Sequence, residues 1–149
     1  MTDHARWMRA AVELATRSPS AEGAFSVGAV IVVDDAAIAT GYSRETDAKV
    51  HAEEAALNKL DEDDPRLARA TIYSTLEPCS QRGTATRLPC TERILRAGIP
   101  VVVIAWREPA TFVRNCVGVE KLRAAGVTVI ELPEWAAAAM AMNRHLDLS

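Results

Sequence analysis

The region between Val50 and Thr91 contains a helix-opening motif, a β-rich run and two cysteine motifs. In chain order these segments read Val50-His51-Ala52-Glu53-Glu54, Thr71-Ile72-Tyr73-Ser74-Thr75-Leu76, Glu77-Pro78-Cys79 and Pro89-Cys90-Thr91. One imidazole and two thiolates suit a four-coordinate zinc ion, and three protein ligands leave one position open for water. We therefore predict a catalytic rather than a structural site, with one Zn²⁺ per chain held by His51, Cys79 and Cys90.

Glu53 follows the predicted ligand His51 by two residues. A carboxylate at that distance can exchange protons with a nearby water without binding the metal itself. A His-x-Glu motif followed by Pro-Cys is the pattern of zinc deaminases that attack an amino-bearing carbon of a nucleobase ring. The pattern predicts a hydrolytic deaminase in which Glu53 is the catalytic proton shuttle, serving the water, a ring nitrogen and the departing amino group. Glu54 is predicted to be a solvated helix position without a role.

Length and composition limit the fold and the class of partner. The 149 residues are 49% hydrophobic and 25% charged, which is typical of one globular domain. We expect a single zinc-dependent deaminase domain over residues 1–149. The net charge of −3 at pH 7 supplies no basic surface of the kind that nucleic acids require. The expected partner is a small aminated heterocycle, and no nucleic acid is expected.

Three cysteines, Cys79, Cys90 and Cys116, form a sparse and odd set that indicates a reducing compartment, and we predict the cytoplasm. Ten residues separate Cys79 from Cys90, so by spacing alone Cys116 competes for the third ligand position. Its neighbours bring no companion ligand, and we predict a buried thiol there. No apolar run approaches the ~18 residues of a membrane helix, and no signal-peptide core follows Met1. We predict no membrane or targeting segment.

Hydrophobic periodicity predicts one helix and a hairpin, followed by strands that alternate with helices. The predicted helices are 3–17, 51–60, 90–97, 116–125 and 133–146, and the predicted strands are 27–33, 36–42, 71–76, 100–105 and 127–132. Gly98 and Gly126 close two of these helices. Strands that alternate with helices imply parallel βαβ units with right-handed crossovers. The predicted fold is a three-layer α/β/α domain with a central mixed five-stranded sheet.

Several segments resemble the deaminase domain of the riboflavin-biosynthesis pyrimidine deaminases. They are Thr75-Leu76-Glu77-Pro78-Cys79-Ser80, Pro89-Cys90, Ile94-Leu95-Arg96-Ala97-Gly98-Ile99, Val27-Gly28-Ala29-Val30-Ile31-Val32, His51-Ala52-Glu53 and Ala141-Met142-Asn143-Arg144. That group also has a long insertion between its zinc cysteines. The resemblance implies a cytidine deaminase-like fold, zinc ligands at His51, Cys79 and Cys90, a catalytic Glu53, and a phosphoribosylaminopyrimidine substrate. It also implies a homodimer or higher homo-oligomer.

Two departures from that family concern the substrate. The family usually has Asn-Pro before its Val-Gly strand, whereas this chain has Ala24-Phe25-Ser26. Phe25 and Ser26 are candidate substrate contacts, with a more apolar, stacking character at Phe25. Between the cysteines the His-x-Gly-Arg-Thr pattern of the family is altered, but Arg82 and Arg87 remain candidate phosphate ligands, because the arginine fork suits bidentate anion contacts. An equal alternative is a solvated loop with two surface charges.

The sequence leaves three functions open. The leading prediction is a deaminase of an aminated pyrimidine-like heterocycle, resembling the diaminohydroxyphosphoribosylaminopyrimidine deaminase of riboflavin biosynthesis but stand-alone, because no reductase domain follows up to Ser149. The second is a nucleoside or nucleobase deaminase of cytosine, adenine or guanine type in salvage or specialised metabolism, favoured by the altered segment at Phe25. The third is a non-catalytic zinc-bearing binding module or an RNA-editing subunit, which would not need Glu53.

Overall fold

The computed structural model describes residues 3–19, 25–79, 88–107 and 117–143, and the structural statements that follow concern these ranges. The helices are α1 (His4–Ala15), α2 (Ala52–Leu57), α3 (Cys90–Ala97), α4 (Gly118–Ala124) and α5 (Ala136–Met140). The strands are β1 (Gly28–Val33), β2 (Ala36–Tyr42), β3 (Thr71–Leu76), β4 (Val101–Trp106) and β5 (Thr128–Glu131). Short 3₁₀ turns cover Pro65–Arg69, Pro133–Trp135 and Ala141–Asn143.

The strands form one sheet in the order β2-β1-β3-β4-β5. Strand β1 is antiparallel to both β2 and β3, whereas β4 runs parallel to β3 and β5. The predicted mixed five-stranded sheet is therefore confirmed. All six residues of β1 are buried, as expected for an interior strand that is covered on both faces. The carboxyl ends of β3 and β4 lie at the same edge of the sheet, and the segment with Cys79 begins there.

Helices cover both faces of the sheet. Alternate strand residues such as Ile31, Ile72 and Ile104 point to the face that α2, α3 and α4 cover, and their neighbours Val30, Tyr73 and Val103 point to α1 and α5. Burial of each large aliphatic side chain contributes roughly 1.5–3 kcal/mol, so both layers stabilise the sheet. The predicted three-layer α/β/α arrangement is confirmed. No helix within the described ranges combines the length and apolar character needed to cross a bilayer.

The helices predicted over 51–60 and 133–146 differ most from the structure. The helix predicted over 51–60 ends at Leu57, and two i+3 hydrogen bonds then tighten the chain, the second from the Leu60 N–H to the Leu57 carbonyl. Over its described part, residues 133–143, the helix predicted over 133–146 is divided into a 3₁₀ turn, α5 and a second 3₁₀ turn. The side chain of Asn143 donates to the Ala139 carbonyl at 3.2 Å. Asparagine side chains that bond nearby carbonyls compete with the helical ladder, which accounts for the tightened end.

Two glycines permit close approaches that position the functional segments. A Cβ on Gly41 would lie 2.5 Å from the Ala56 nitrogen, so α2 can rest against β2 only because this residue has no side chain. A Cβ on Gly118 would collide with the Pro78 carbonyl oxygen. The helix that follows His51 and the loop that carries Cys79 thus both depend on a glycine in a neighbouring element.

Candidate metal centre and active site

Three side chains from separate elements meet at one point. His51 precedes α2, Cys79 follows β3 by three residues, and Cys90 is the first residue of α3. The Nδ1 atom of His51 lies 3.5 Å from the sulfur of each cysteine, and ligand atoms of all three residues lie within 4.8 Å of one another. Both cysteines are buried and neither forms a disulfide. The structure thus brings together the three residues predicted to be zinc ligands.

The geometry and chemistry of this cluster fit zinc. Zn–N bonds of about 2.0 Å and Zn–S bonds of about 2.3 Å at a tetrahedral angle place nitrogen and sulfur about 3.5 Å apart, as observed here. Thiolate and imidazole donors select zinc over magnesium or calcium, which prefer oxygen ligands. When bound, zinc would activate a water molecule for attack at neutral pH. The donor set therefore supports a catalytic zinc site of three protein ligands.

The start of α3 holds Cys79 in place. The backbone N–H of Cys90 donates to the Cys79 sulfur at 3.2 Å, and the N–H of Thr91 donates to the Cys79 carbonyl at 3.1 Å. A hydrogen bond from the Cys90 side chain, together with the nearby His51, lowers the pKa of Cys79 to about 4. The pKa of Cys90 is raised by its hydrogen bond to Cys79 and by burial. A divalent ion bound by both sulfurs requires both as thiolates, so metal binding must release any proton that remains on Cys90.

Glu53 is buried beside the sulfur cluster, with 4% of its surface exposed. Its carboxylate contributes to the raised pKa of Cys90, as a nearby negative charge should. The Ser74 hydroxyl lies 2.5 Å from Oε1 of Glu53 and 2.9 Å from the Leu76 carbonyl oxygen. A hydroxyl has one proton to donate but also accepts. Ser74 can therefore donate to an ionised Glu53, or accept from a protonated Glu53 while it donates to Leu76.

The prediction that Glu54 occupies a solvated helix position is wrong. Only 3% of its surface is exposed. Its Oε1 accepts from the backbone N–H of His51 at 3.2 Å, and its Oε2 accepts from the guanidinium of Arg93 at 3.1 Å. A glutamate at the third helical position commonly bonds back to the residue before the helix. That spacing is visible in the sequence and would have indicated the bond to the His51 N–H, whereas the burial of Glu54 and its contact with Arg93 come from the tertiary structure.

Glu77 anchors the loop that carries Cys79. Its carboxylate is buried and accepts from the Val119 N–H at 2.9 Å, at the start of α4. Its own backbone N–H donates to the Trp106 carbonyl at 2.9 Å, at the end of β4. Glu77 thus attaches the loop to the end of β4 and to the start of α4. Glu77 is not among the predicted site residues, although its place between a predicted strand and the predicted ligand Cys79 is a signal for a structural role.

Phe25 belongs to the same buried hydrophobic cluster as Ala52, the residue between His51 and Glu53 in sequence. Its ring meets Trp106 edge-to-face at a centroid distance of 5.6 Å. It is 8% exposed, so most of its surface serves packing. This position is consistent with an apolar wall beside the centre, and the predicted substrate contact of Phe25 stays a prediction.

The polar groups of Ser26 are engaged by two distant side chains. Asn143 accepts from the Ser26 N–H at 2.6 Å and donates to its carbonyl at 3.1 Å. Arg44 donates to the Ser26 hydroxyl at 3.2 Å. Ser26 is 2% exposed, and its predicted substrate contact stays a prediction. Asn143 and Arg44 are not among the predicted site residues, because their partners are remote in sequence.

Arg44 connects the two sides of the segment before β1. Its guanidinium donates to the Ser18 hydroxyl at 3.0 Å, to the Pro19 carbonyl at 2.6 and 2.9 Å, and to the Phe25 carbonyl at 3.2 Å. Burial lowers the pKa of this guanidinium. Arginine nevertheless stays protonated in proteins, so Arg44 is charged at any physiological pH.

The remaining candidates Arg82, Arg87 and Cys116 lie outside the described residues, and their roles stay predictions.

Comparisons with known proteins agree with this geometry. Residues 1–106 match the family model described as the cytidine and deoxycytidylate deaminase zinc-binding region. The chain is 40% identical over 131 residues to the diaminohydroxyphosphoribosylamino-pyrimidine deaminase of Schizosaccharomyces pombe, covering 87% of this chain and 32% of that protein. It spans about a third of the length of the curated relatives it matches.

Solved structures show the same fold. RibD of Acinetobacter baumannii aligns with a TM-score of 0.79 at 34% identity, over 95% of this chain and 38% of that one. Rib2 deaminase of Aspergillus oryzae in complex with DARIPP aligns with a TM-score of 0.73 at 29% identity, over 86% of this chain and 84% of that one. The predicted cytidine deaminase-like fold is confirmed.

Proposed function

The chain belongs to the cytidine and deoxycytidylate deaminase zinc-binding family, and on that premise we propose that it is a zinc-dependent hydrolase of C–N bonds. It would replace an exocyclic amino group of a pyrimidine-like ring by oxygen and release ammonia. The observation that carries this proposal is the meeting of His51, Cys79 and Cys90 with the buried carboxylate of Glu53 beside them. A binding module without catalysis would not need that carboxylate.

Glu53 is proposed as the group that moves protons. In the reaction a water oxygen bonds to the amino-bearing ring carbon, the C–N bond breaks, and ammonia leaves. Glu53 takes one proton from the attacking water and delivers it to the ring nitrogen. It then takes the proton of the hydroxyl now bonded to the ring carbon and passes it to the amino group, so that a carbonyl forms as ammonia leaves. The Ser74 hydroxyl supports both protonation states of Glu53 by changing from donor to acceptor.

The proposed substrate is the diaminohydroxyphosphoribosylaminopyrimidine of riboflavin biosynthesis. Support comes from the name of the Schizosaccharomyces pombe relative and from the DARIPP complex of the Aspergillus oryzae deaminase. Phe25 and Ser26 are proposed to border the ring, and Arg82 and Arg87 to bind the phosphate. A nucleoside or nucleobase deaminase is the second candidate, because Ala24-Phe25-Ser26 stands where the riboflavin-biosynthesis deaminases usually have Asn-Pro.

The proposal extends to organisation and compartment. Residues 1–149 are proposed to act as one deaminase domain. The cytoplasm is the proposed compartment, because Cys79 and Cys90 must stay reduced to serve as thiolate ligands. A homodimer or higher homo-oligomer is proposed, and light scattering of the zinc-loaded protein would test it by giving the mass of the assembly.

Ammonia release by the zinc-loaded protein tests the function. The panel holds diaminohydroxyphosphoribosylaminopyrimidine, its dephosphorylated form, cytidine, cytosine, adenine and guanine. We expect turnover of the phosphorylated pyrimidine, and a loss of ~100 to 10,000-fold in Glu53→Gln with zinc still bound, as for other general acid–base groups. Turnover of free bases alone would select the second candidate and exclude a phosphate role for Arg82 and Arg87. Equal activity of Glu53→Gln and wild type would contradict the mechanism.

A further inference from the structure

Glu54 and Arg93 join the two helices that carry the metal ligands. Glu54 lies in α2, whose first residue follows His51, and Arg93 lies in the first turn of α3, three residues after Cys90. We propose that the Glu54–Arg93 ion pair is a positioning device that holds His51 at the correct distance from Cys90 for zinc binding. The inference rests on the proposed function only in requiring that the centre binds zinc.

The pair bridges the two sides of the zinc site through backbone and side-chain contacts. One carboxylate oxygen of Glu54 accepts from the His51 N–H at 3.2 Å, and the other accepts from Arg93 Nη2 at 3.1 Å. Cys79 is already attached to α3 by backbone bonds from Cys90 and Thr91. His51 is the ligand that belongs to the other helix. Within the described ranges, Glu54–Arg93 is the ion pair that links α2 to α3.

Because this ion pair is largely buried, we expect it to restrain the distance between α2 and α3 more strongly than an exposed ion pair would. The side chain of Glu54 is 4% exposed and that of Arg93 is 25% exposed, whereas exposed pairs contribute little because water and salt screen them. The Nε of Arg93 is buried without a hydrogen-bond partner. The guanidinium therefore gives up one hydrogen bond in the orientation that reaches Glu54. A separation of the helices would take the positive charge of Arg93 away from a buried carboxylate, which is unfavourable.

The expected consequence concerns metal affinity. The 3.5 Å separations between His51 Nδ1 and the two sulfurs match the tetrahedral geometry only if α2 and α3 keep their present spacing. Residues that orient metal ligands from outside the ligand shell typically change metal affinity by ~10 to 100-fold when they are substituted. Glu54 and Arg93 are expected to have effects of that size although neither binds the metal.

Competition for zinc tests the proposal without substrate. Zinc-loaded wild type, Glu54→Gln, Arg93→Met and the double variant are equilibrated with a chromophoric chelator, and the zinc dissociation constant is calculated. We expect each single variant to bind zinc at least ~10-fold more weakly. The double variant should be no weaker than the weaker single variant, because the two residues act as a unit. Arg93→Lys keeps the charge and should restore most of the affinity.

Arg96→Met is the matched control, since it removes the same charge from an exposed position of α3. It should bind zinc within twofold of wild type. Cobalt-loaded proteins give a second readout, because the absorption bands of Co²⁺ report the ligand geometry; they should shift in Arg93→Met and not in Arg96→Met. Unchanged zinc affinity and cobalt spectra in Arg93→Met, even with lowered stability, would overturn the proposal. Wild type that binds zinc without deaminating any substrate would contradict the proposed function and leave this inference standing.

Discussion

The side-chain amide of Asn143 forms two hydrogen bonds with the backbone of Ser26, a residue 117 positions earlier. Its oxygen accepts from the Ser26 N–H at 2.6 Å, and its nitrogen donates to the Ser26 carbonyl at 3.1 Å. Both residues are 2% exposed, so water cannot replace these bonds. The amide thus pairs with both backbone polar groups of Ser26, as the backbone of a neighbouring strand would. These bonds hold in place the segment that leads into β1 beside the proposed active site.

Replacement of Asn143 by alanine should therefore destabilise the fold. A buried donor and a buried acceptor of Ser26 lose their partners at about 1–3 kcal/mol each, so the free energy of unfolding should fall by roughly 3 kcal/mol. Urea unfolding measures this change. Asn58→Ala, at an exposed position, should change it by less than about 0.5 kcal/mol. An equally small effect of Asn143→Ala would show that the two bonds are weak in solution.

Ser74 is predicted to support the chemistry of Glu53 rather than metal binding. Ser74→Ala removes a hydrogen bond to a charged group, for which about 1.5–3 kcal/mol is typical. If that loss falls on the transition state, kcat for ammonia release should drop by roughly 10 to 100-fold. Zinc content should stay at the wild-type level. Ser74→Thr retains the hydroxyl and should recover most of the rate, and failure of that rescue would count against the assignment.

The two candidates for the third ligand can be separated by paired serine variants. Cys90 lies 3.5 Å from His51 Nδ1, at the distance that a shared zinc ion requires. Cys90→Ser should therefore release most of the zinc, measured as metal per chain after gel filtration. Cys116→Ser should retain it. Zinc loss in the second variant alone would assign the ligand to Cys116.

Gly41 is predicted to be intolerant of a side chain. A Cβ there would lie 2.5 Å from the Ala56 nitrogen, so α2 must move away from β2 and take His51 and Glu53 with it. Gly41→Ala should lower the free energy of unfolding by more than about 2 kcal/mol, and should weaken zinc binding as well. Gly98→Ala is the matched comparison. Gly98 has a φ of 77° and open space around it, so alanine there should cost about 1–2 kcal/mol and leave zinc affinity unchanged.

Tyr73 should ionise late. Burial, with the negative charges of Asp3 and Asp35, raises its pKa to about 12, from 10.0 in an unfolded chain. Because the folded pKa is the higher one, this phenol contributes stability below pH 10 that is lost as the pH rises through 12. Spectrophotometric titration should show one tyrosine ionising near 12, and Tyr73→Phe should remove that step. Retention of the step in Tyr73→Phe would contradict the prediction.

Local sequence patterns were sufficient to predict the elements of the fold. The strands 36–42 and 71–76 and the helix 90–97 have the predicted bounds, because periodic apolar residues and flanking prolines and glycines act over a few positions. The same reasoning failed at the end of α5. There the helix is tightened by Asn143, whose amide binds Ala139 and also the remote Ser26.

The sequence by itself was enough to propose the zinc ligands and the acid–base group, since His51, Glu53, Cys79 and Cys90 stand in motifs whose chemistry is local. Only the tertiary structure showed which polar side chains contact the proposed catalytic group or hold the elements that carry the proposed ligands. The Ser74 hydroxyl in β3 contacts the Glu53 carboxylate, and Arg93 in α3 donates a hydrogen bond to Glu54 in α2. Such pairs depend on where the folded backbone places residues far apart in the chain, and no short-range pattern encodes that distance.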